Sequence, residues 1–95
     1  MFIGFEQVSA TNAVKTADSL TIPANATAVE IQSDTQNVRY TMDNETDPTQ
    51  SAGMLFLTTD CPKVFGIDDL LRIKFTRGAG SDGNLNFHYS AGRDI

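Results

Sequence analysis

Leu85-Asn86-Phe87-His88-Tyr89-Ser90 alternates large apolar and polar side chains without a break. A period of two belongs to a strand with one buried and one wet face, because successive side chains leave a pleated strand on opposite sides. Working outward, three more stretches carry the same alternation. Leu71, Ile73 and Phe75 alternate with Arg72, Lys74 and Thr76; Val38, Tyr40 and Met42 with Arg39, Thr41 and Asp43; Thr27, Val29 and Ile31 with Ala28, Glu30 and Gln32. The expected core is Val29, Ile31, Val38, Tyr40, Leu71, Ile73, Phe75, Leu85 and Phe87.

Shorter runs lie between and before these. Phe2 to Val8 reads as a strand weakened by Gly4. Leu20-Thr21-Ile22 is stopped by Pro23. Val64 to Ile67 is a further short strand. Gly53 to Thr58 is apolar on both faces at Met54, Leu55, Phe56 and Leu57, which implies burial between layers or against a partner. Turn-forming clusters separate the runs at Pro23-Ala24-Asn25, 33–37, 44–50, Cys61-Pro62 and 78–84. Only 12–20 has room for a short helical turn. Strands recurring about every ten residues suit a sandwich or barrel. The expected fold is therefore all-β: an antiparallel two-sheet sandwich or small barrel, in jelly-roll or Greek-key style, with roughly seven to eight strands.

The 95 residues fit one domain over 1–95. At 40% hydrophobic and 20% charged residues, the chain is too apolar to be disordered. A net charge of −5 repels phosphate backbones, so no nucleic acid is expected as a partner. No run approaches the ~18 apolar residues of a membrane span. The opening residues Met1 to Val8 lack the basic region of a signal peptide. Folding in a cytosol is expected, and no membrane contact. Cys61 stands alone, which excludes an internal disulfide, and reads as a small buried or half-buried apolar residue.

Motifs that could carry chemistry each lose to a plainer explanation. Gly78-Ala79-Gly80-Ser81-Asp82-Gly83 spells a dinucleotide fingerprint, but such a site needs a helix to follow it, and here a strand does. A hairpin loop is expected instead. Asp43, Glu45 and Asp47 are spaced like the start of a calcium loop, yet Pro48 takes the place of the required glycine and Met54 that of the closing glutamate. An acidic solvated loop fits better. His88, the only histidine, rules out a multi-histidine metal site and reads as an exposed strand residue. Arg39, Arg72, Lys74 and Arg77 form either ordinary cross-strand pairs with Glu30 or Asp43, or a basic stripe for an acidic partner. No catalytic, cofactor-binding or metal residue is assigned, no cofactor is expected, and the chain does not read as an enzyme.

Leu20-Thr21-Ile22-Pro23-Ala24, Ala28-Val29-Glu30-Ile31-Gln32, Val38-Arg39-Tyr40 with Asp43, Thr46-Asp47-Pro48-Thr49, Ala52-Gly53-Met54-Leu55, Leu71-Arg72-Ile73-Lys74-Phe75 and Leu85-Asn86-Phe87-His88-Tyr89 stand in an order and spacing of their own. Together they resemble a family of small β-sandwich structural proteins of tailed bacteriophages. The departure is Asn44-Glu45, where such proteins more often have a glycine turn. Some members are like capsid decoration, or cement, proteins, and others are head or tail components. The resemblance implies a virion structural protein, made in the host cytoplasm and located in the virion. Its expected partners are the major capsid protein or another virion protein, together with further copies of itself as a homo-oligomer. A tail or fibre-attachment component is the alternative. A carbohydrate-binding attachment module ranks lower, since there is no Trp and both Tyr fall on expected core faces. Phe2, Ile3, Phe5, Met54, Leu55 and Phe56 are the candidate partner contacts.

Overall fold

The computed structural model describes residues 1–92. Eight strands run in the order β1 (Phe2–Ala10), β2 (Lys15–Thr16), β3 (Ala26–Asp34), β4 (Val38–Thr41), β5 (Met54–Phe56), β6 (Lys63–Gly66), β7 (Lys74–Arg77) and β8 (Gly83–Ala91). A 3-10 turn spans Ala17–Ser19, inside the one stretch with room for it, and a single helical turn α1 spans Ile67–Leu70. One sheet has the order β1-β8-β3-β6 and the other β2-β7-β4-β5, and every pairing is antiparallel. Only the β4–β5 connection stays within a sheet; every other connection crosses between sheets. That is the jelly-roll solution to closing two sheets over one core.

The alternation seen in β8 governs the packing. Leu85, Phe87 and Tyr89 point inward and are buried, while Asn84, Asn86, His88 and Ser90 point out. Phe87 lies between Phe75 and Tyr89, with ring centres 6.2 and 6.4 Å away. Val29 and Ile31 on β3, Val38 and Tyr40 on β4 and Ile73 ahead of β7 are buried as expected, and Ala10, Phe56, Leu70 and Tyr89 join them. Tyr40 spans toward the far edge, 5.9 Å from Phe56 and 6.1 Å from Phe65.

Leu71 is a correction. The strand expected from Leu71 begins only at Lys74, because Asp68-Asp69-Leu70 closes a helical turn whose carbonyls are taken by the Leu71, Arg72 and Ile73 N–H groups. Leu70 drops into the core at 0% exposure and Leu71 is left outside at 55%. The Leu20–Ile22 segment is extended but joins no sheet; it packs Leu20 and Ile22 against the core. Thr27 also leaves the expected inward set. It is the extra residue of a bulge between Ala26 and Ala28, and its hydroxyl donates to the Gly92 carbonyl.

The glycine-rich loop is not a hairpin, since β7 and β8 belong to different sheets. It arches across the end of the sandwich against the β3–β4 turn. The Gly78 N–H donates to the Asn37 carbonyl at 2.7 Å. A Cβ on Gly78 would meet that carbonyl oxygen at 2.8 Å, and one on Gly83 would meet the Gln36 oxygen at 2.8 Å, whereas one on Gly80 meets nothing within 4 Å. Two of the three fingerprint glycines are thus there for close backbone approach.

Two substitution pairs test this packing. Ile73→Ala, at a site 2% exposed, should cost roughly 2–5 kcal/mol in denaturant unfolding. Leu71→Ala should stay within about 1 kcal/mol; equal costs would return Leu71 to the core. Gly83→Ala should lose roughly 1–3 kcal/mol through overpacking, and Gly80→Ala about 1 kcal/mol or less in either direction. Equal melting temperatures for the two variants would contradict the close approach.

Candidate functional site

The outer face of the β1–β8–β3–β6 sheet gathers the most distinctive surface. The register sets Phe5, His88, Glu30 and Val64 in one row across all four strands, with Gln7, Asn86 and Gln32 in the next. Gln7 Nε2 donates to Asn86 Oδ1 at 2.8 Å. A shallow depression of about 120 Å³ lies among Phe5, Glu30, Gln32, Pro62, Asn86 and His88.

A bulge builds the aromatic end of this face. Simple alternation would send Phe2 and Phe5 to opposite sides. The register shift between Phe2 and Gly4 makes Ile3 the extra residue, so Phe2 pairs with Ser90 and Phe5 with His88, both outward. The Phe2 ring stacks on His88 at 3.8 Å and 12°, and Phe5 meets the same imidazole edge-on at 6.1 Å. His88 is on the outward side, as its place in the alternation predicted, but it is half-buried under Phe2 and not open to solvent. Phe2 and Phe5 remain 53% and 63% exposed, and Val64 in the same row as Phe5 is 69% exposed.

The inward side of β1 is occupied. Glu6 Oε2 accepts the Tyr89 hydroxyl at 2.6 Å and the Thr21 N–H at 2.8 Å. Burial, and then the Glu6 carboxylate, push the Tyr89 hydroxyl well above the usual phenol range. Gly4 faces the Pro23 ring.

The six candidate contacts fall on two surfaces. Phe2, Ile3 and Phe5 lie on β1, an edge of one sheet; Met54 and Leu55 are exposed on β5, an edge of the other. Phe56, expected beside them as a contact, is buried in the core instead. It pairs with Val38, is 1% exposed, and carries Lys63 Nζ 5.0 Å over its ring. The apolar run Gly53 to Thr58 thus supplies one core side chain, and β5 is only three residues long.

Other sequence features resolve into local structure. Cys61 is exposed, because it lies in the β5–β6 connection outside the sheets, and is not the half-buried apolar residue expected. Arg39, Lys74 and Arg77 find partners other than Glu30 and Asp43. Arg39 Nη1 donates to the Gly53 carbonyl at 2.9 Å, Lys74 Nζ reaches Asp47 at 3.0 Å and the Glu45 carbonyl at 3.2 Å, and Arg77 pairs with Asp82 at 3.0 Å. Asp43 spends its carboxylate on its own turn. It accepts the Thr46 hydroxyl at 2.6 Å and the N–H groups of Thr46 and Glu45 at 2.9 and 3.0 Å. Asn44 takes φ +62°, a conformation that Asn adopts more readily than most residues, which is how the turn forms without glycine. Among the described residues no group of three or more His, Cys, Asp or Glu is placed to hold a metal ion, and no helix is long and apolar enough to cross a membrane.

No protein-family model, curated protein or solved structure matches the chain.

The Asp43 turn gives a pH prediction. The Thr46 hydroxyl, then the two N–H groups, lower the Asp43 carboxyl from 3.8 to about 2. A depressed carboxyl stabilises the folded turn above its unfolded value, and that contribution is lost as pH falls from 3.8 toward 2. Carbon NMR of the Asp43 carboxyl should show a midpoint near 2, moving up toward 3.8 in Thr46→Val. An unmoved midpoint would show that the hydroxyl contributes nothing.

Proposed function

We propose that the chain is a non-catalytic virion structural protein, a decoration protein that binds the outer surface of an assembled phage head and ties neighbouring capsid subunits together. The observation that carries this reading is the aromatic end of β1. Three large apolar side chains, Phe2, Ile3 and Phe5, stand exposed along a free sheet edge, although water makes such exposure unfavourable. A covering partner would recover roughly 1.5–3 kcal/mol per fully buried side chain before ordering costs. The jelly-roll order supports the reading by analogy only, since viral capsid and lectin domains share it and a fold does not fix a function. The energetic logic is mass action. A protein that binds the closed shell and not its separated subunits stabilises the shell by its binding free energy, and repeated sites on a lattice add avidity. A tail or fibre-attachment component would use the same surface on a different part of the virion.

A carbohydrate-binding attachment module draws on a separate observation, the depression where Phe5 meets His88, Gln32, Asn86 and Glu30. It is the weaker reading, because Tyr40 and Tyr89 are both buried and Phe lacks a polar handle for a sugar.

The test is direct. Purified chain added to undecorated heads of the phage that encodes it should bind to a saturating stoichiometry and raise the temperature at which they rupture. Phe5→Lys should weaken that binding roughly tenfold or more while leaving the melting temperature of the free chain within a few degrees. Heads that neither bind the chain nor gain stability would remove the decoration reading; binding to tails instead would favour the second.

A further inference from the structure

We propose that the chain has a second docking surface, on the side of the sandwich away from β1, where the Arg39 guanidinium takes a carboxylate from a neighbouring capsid subunit beside Met54 and Leu55. This rests on the decoration reading and deepens it. A protein that ties two subunits together needs two contact surfaces, and this is the second, with the chemistry it selects.

The two surfaces face away from each other. β1 and β6 are opposite edges of one sheet. β5, an edge of the other sheet, lies beside β6, since Lys63 Nζ sits 5.0 Å over the Phe56 ring. β5 is therefore across the sandwich from Phe2 and Phe5. Arg39 stands opposite Leu55 on one side and Thr76 on the other. Thr76 is covered by the chain at Thr11, to whose carbonyl it donates. Leu55 and Met54 are exposed. Arg39 therefore opens toward the β5 edge, and its Nη1 donates to the carbonyl of Gly53, the residue before β5, at 2.9 Å.

Arg39 is a held cation without a counter-charge. Lys63, Lys74 and Arg77 each have an aspartate within 4.0 Å. Among the described residues no carboxylate is that close to Arg39. Asp43 is spent on its own turn and Asp47 on Lys74. Lys15 and Arg72 also lack a carboxylate, but no hydrogen bond fixes their side chains. The Arg39 side chain is half-buried, with Nε buried and without a partner. A partly desolvated cation lacking a counter-charge is unfavourable, and a partner's carboxylate compensates it.

The guanidinium is oriented before a partner arrives, so binding orders little more of it. Nη1 and Nη2 keep free N–H groups for an end-on pair with a carboxylate. Arg beside Met and Leu is also the composition of an interface core, where Met and Arg are enriched and Lys, Glu and Asp depleted. The net charge of −5 does not forbid the pairing, because charges more than about 8 Å apart are largely screened at physiological salt.

Binding of variants to undecorated heads tests this, with the melting temperature of each free chain measured alongside. Arg39→Glu should weaken head binding roughly tenfold or more and cancel most of the gain in rupture temperature. Arg72→Glu, the same charge change on the α1–β7 connection, should bind as the unaltered chain does. Because Arg39 also holds Gly53, a second pair leaves that bond in place. Leu55→Glu gives the guanidinium a carboxylate from its own chain, directly opposite, and should bind heads more weakly than Leu55→Lys. Head binding unchanged by Arg39→Glu, an equal loss with Arg72→Glu, or Leu55→Glu binding as well as Leu55→Lys overturns the proposal. If Phe5→Lys still weakens binding in that case, the decoration reading stands without the second surface. An unaltered chain that never binds heads removes both.

Discussion

Everything in this sandwich hangs on the pleat of β8. Gly83–Ala91 is paired along both sides, with β1 and with β3, so its alternation is imposed on both neighbours. Leu85, Phe87 and Tyr89 on its inward side reach the opposite sheet through Phe75, and a one-residue slip would replace them with Asn84, Asn86 and His88. That slip would bury amides and an imidazole without partners and expose two aromatic rings and a leucine. The register is therefore fixed by the desolvation of polar groups as much as by apolar burial.

The ends of the sandwich are closed by backbone contact more than by side chains. Because nearly every connection crosses between sheets, the chain must turn sharply at each end, and the β7–β8 arch rests on the β3–β4 turn with Gly78 and Gly83 against carbonyl oxygens. Ser33, buried at the end of β3, donates its hydroxyl to the Gln36 carbonyl at 2.8 Å and holds that turn in place. Thr76 does the same beside the opposite edge, donating to the Thr11 carbonyl at 2.6 Å. These two are the buried polar residues among those described, and each ties a loop to a strand.

Period-two alternation made four of the strands and eight of the nine expected core residues legible, because a half-buried strand prints its two faces directly into the sequence. It failed at Leu71, where a single helical turn shifted the register ahead of β7; four residues are too few to show a helical period. It failed at Phe56 because an apolar run on a short strand does not say which face is covered. The pairing of connections was also hidden: the glycine-rich loop has the composition of a hairpin, and only strand order shows that it bridges two sheets. At the candidate site, Phe2 and Phe5 were visible as apolar residues, but their convergence on His88 was not. Gly4 was the one signal, since glycine inside a strand often marks a bulge.

That bulge links the fold to the surface. Without the bulge, Ile3 would pair with Ser90 and Phe2 would turn inward near the strand end, where Pro23 and Tyr89 already fill the space beside Gly4. With it, Phe2 lies flat on His88, covering the imidazole and leaving its own outer face bare. Bulges on edge strands commonly twist the edge away from intruding strands. Here the bulge is confined to the first turn of the pleat, and Phe5–Ala10 runs on regularly beyond it. The same irregularity therefore does two opposite things along one strand. It interrupts the register at Phe2–Gly4 while concentrating aromatic surface there, and it leaves Gly4–Ala10 in unbroken register with β8.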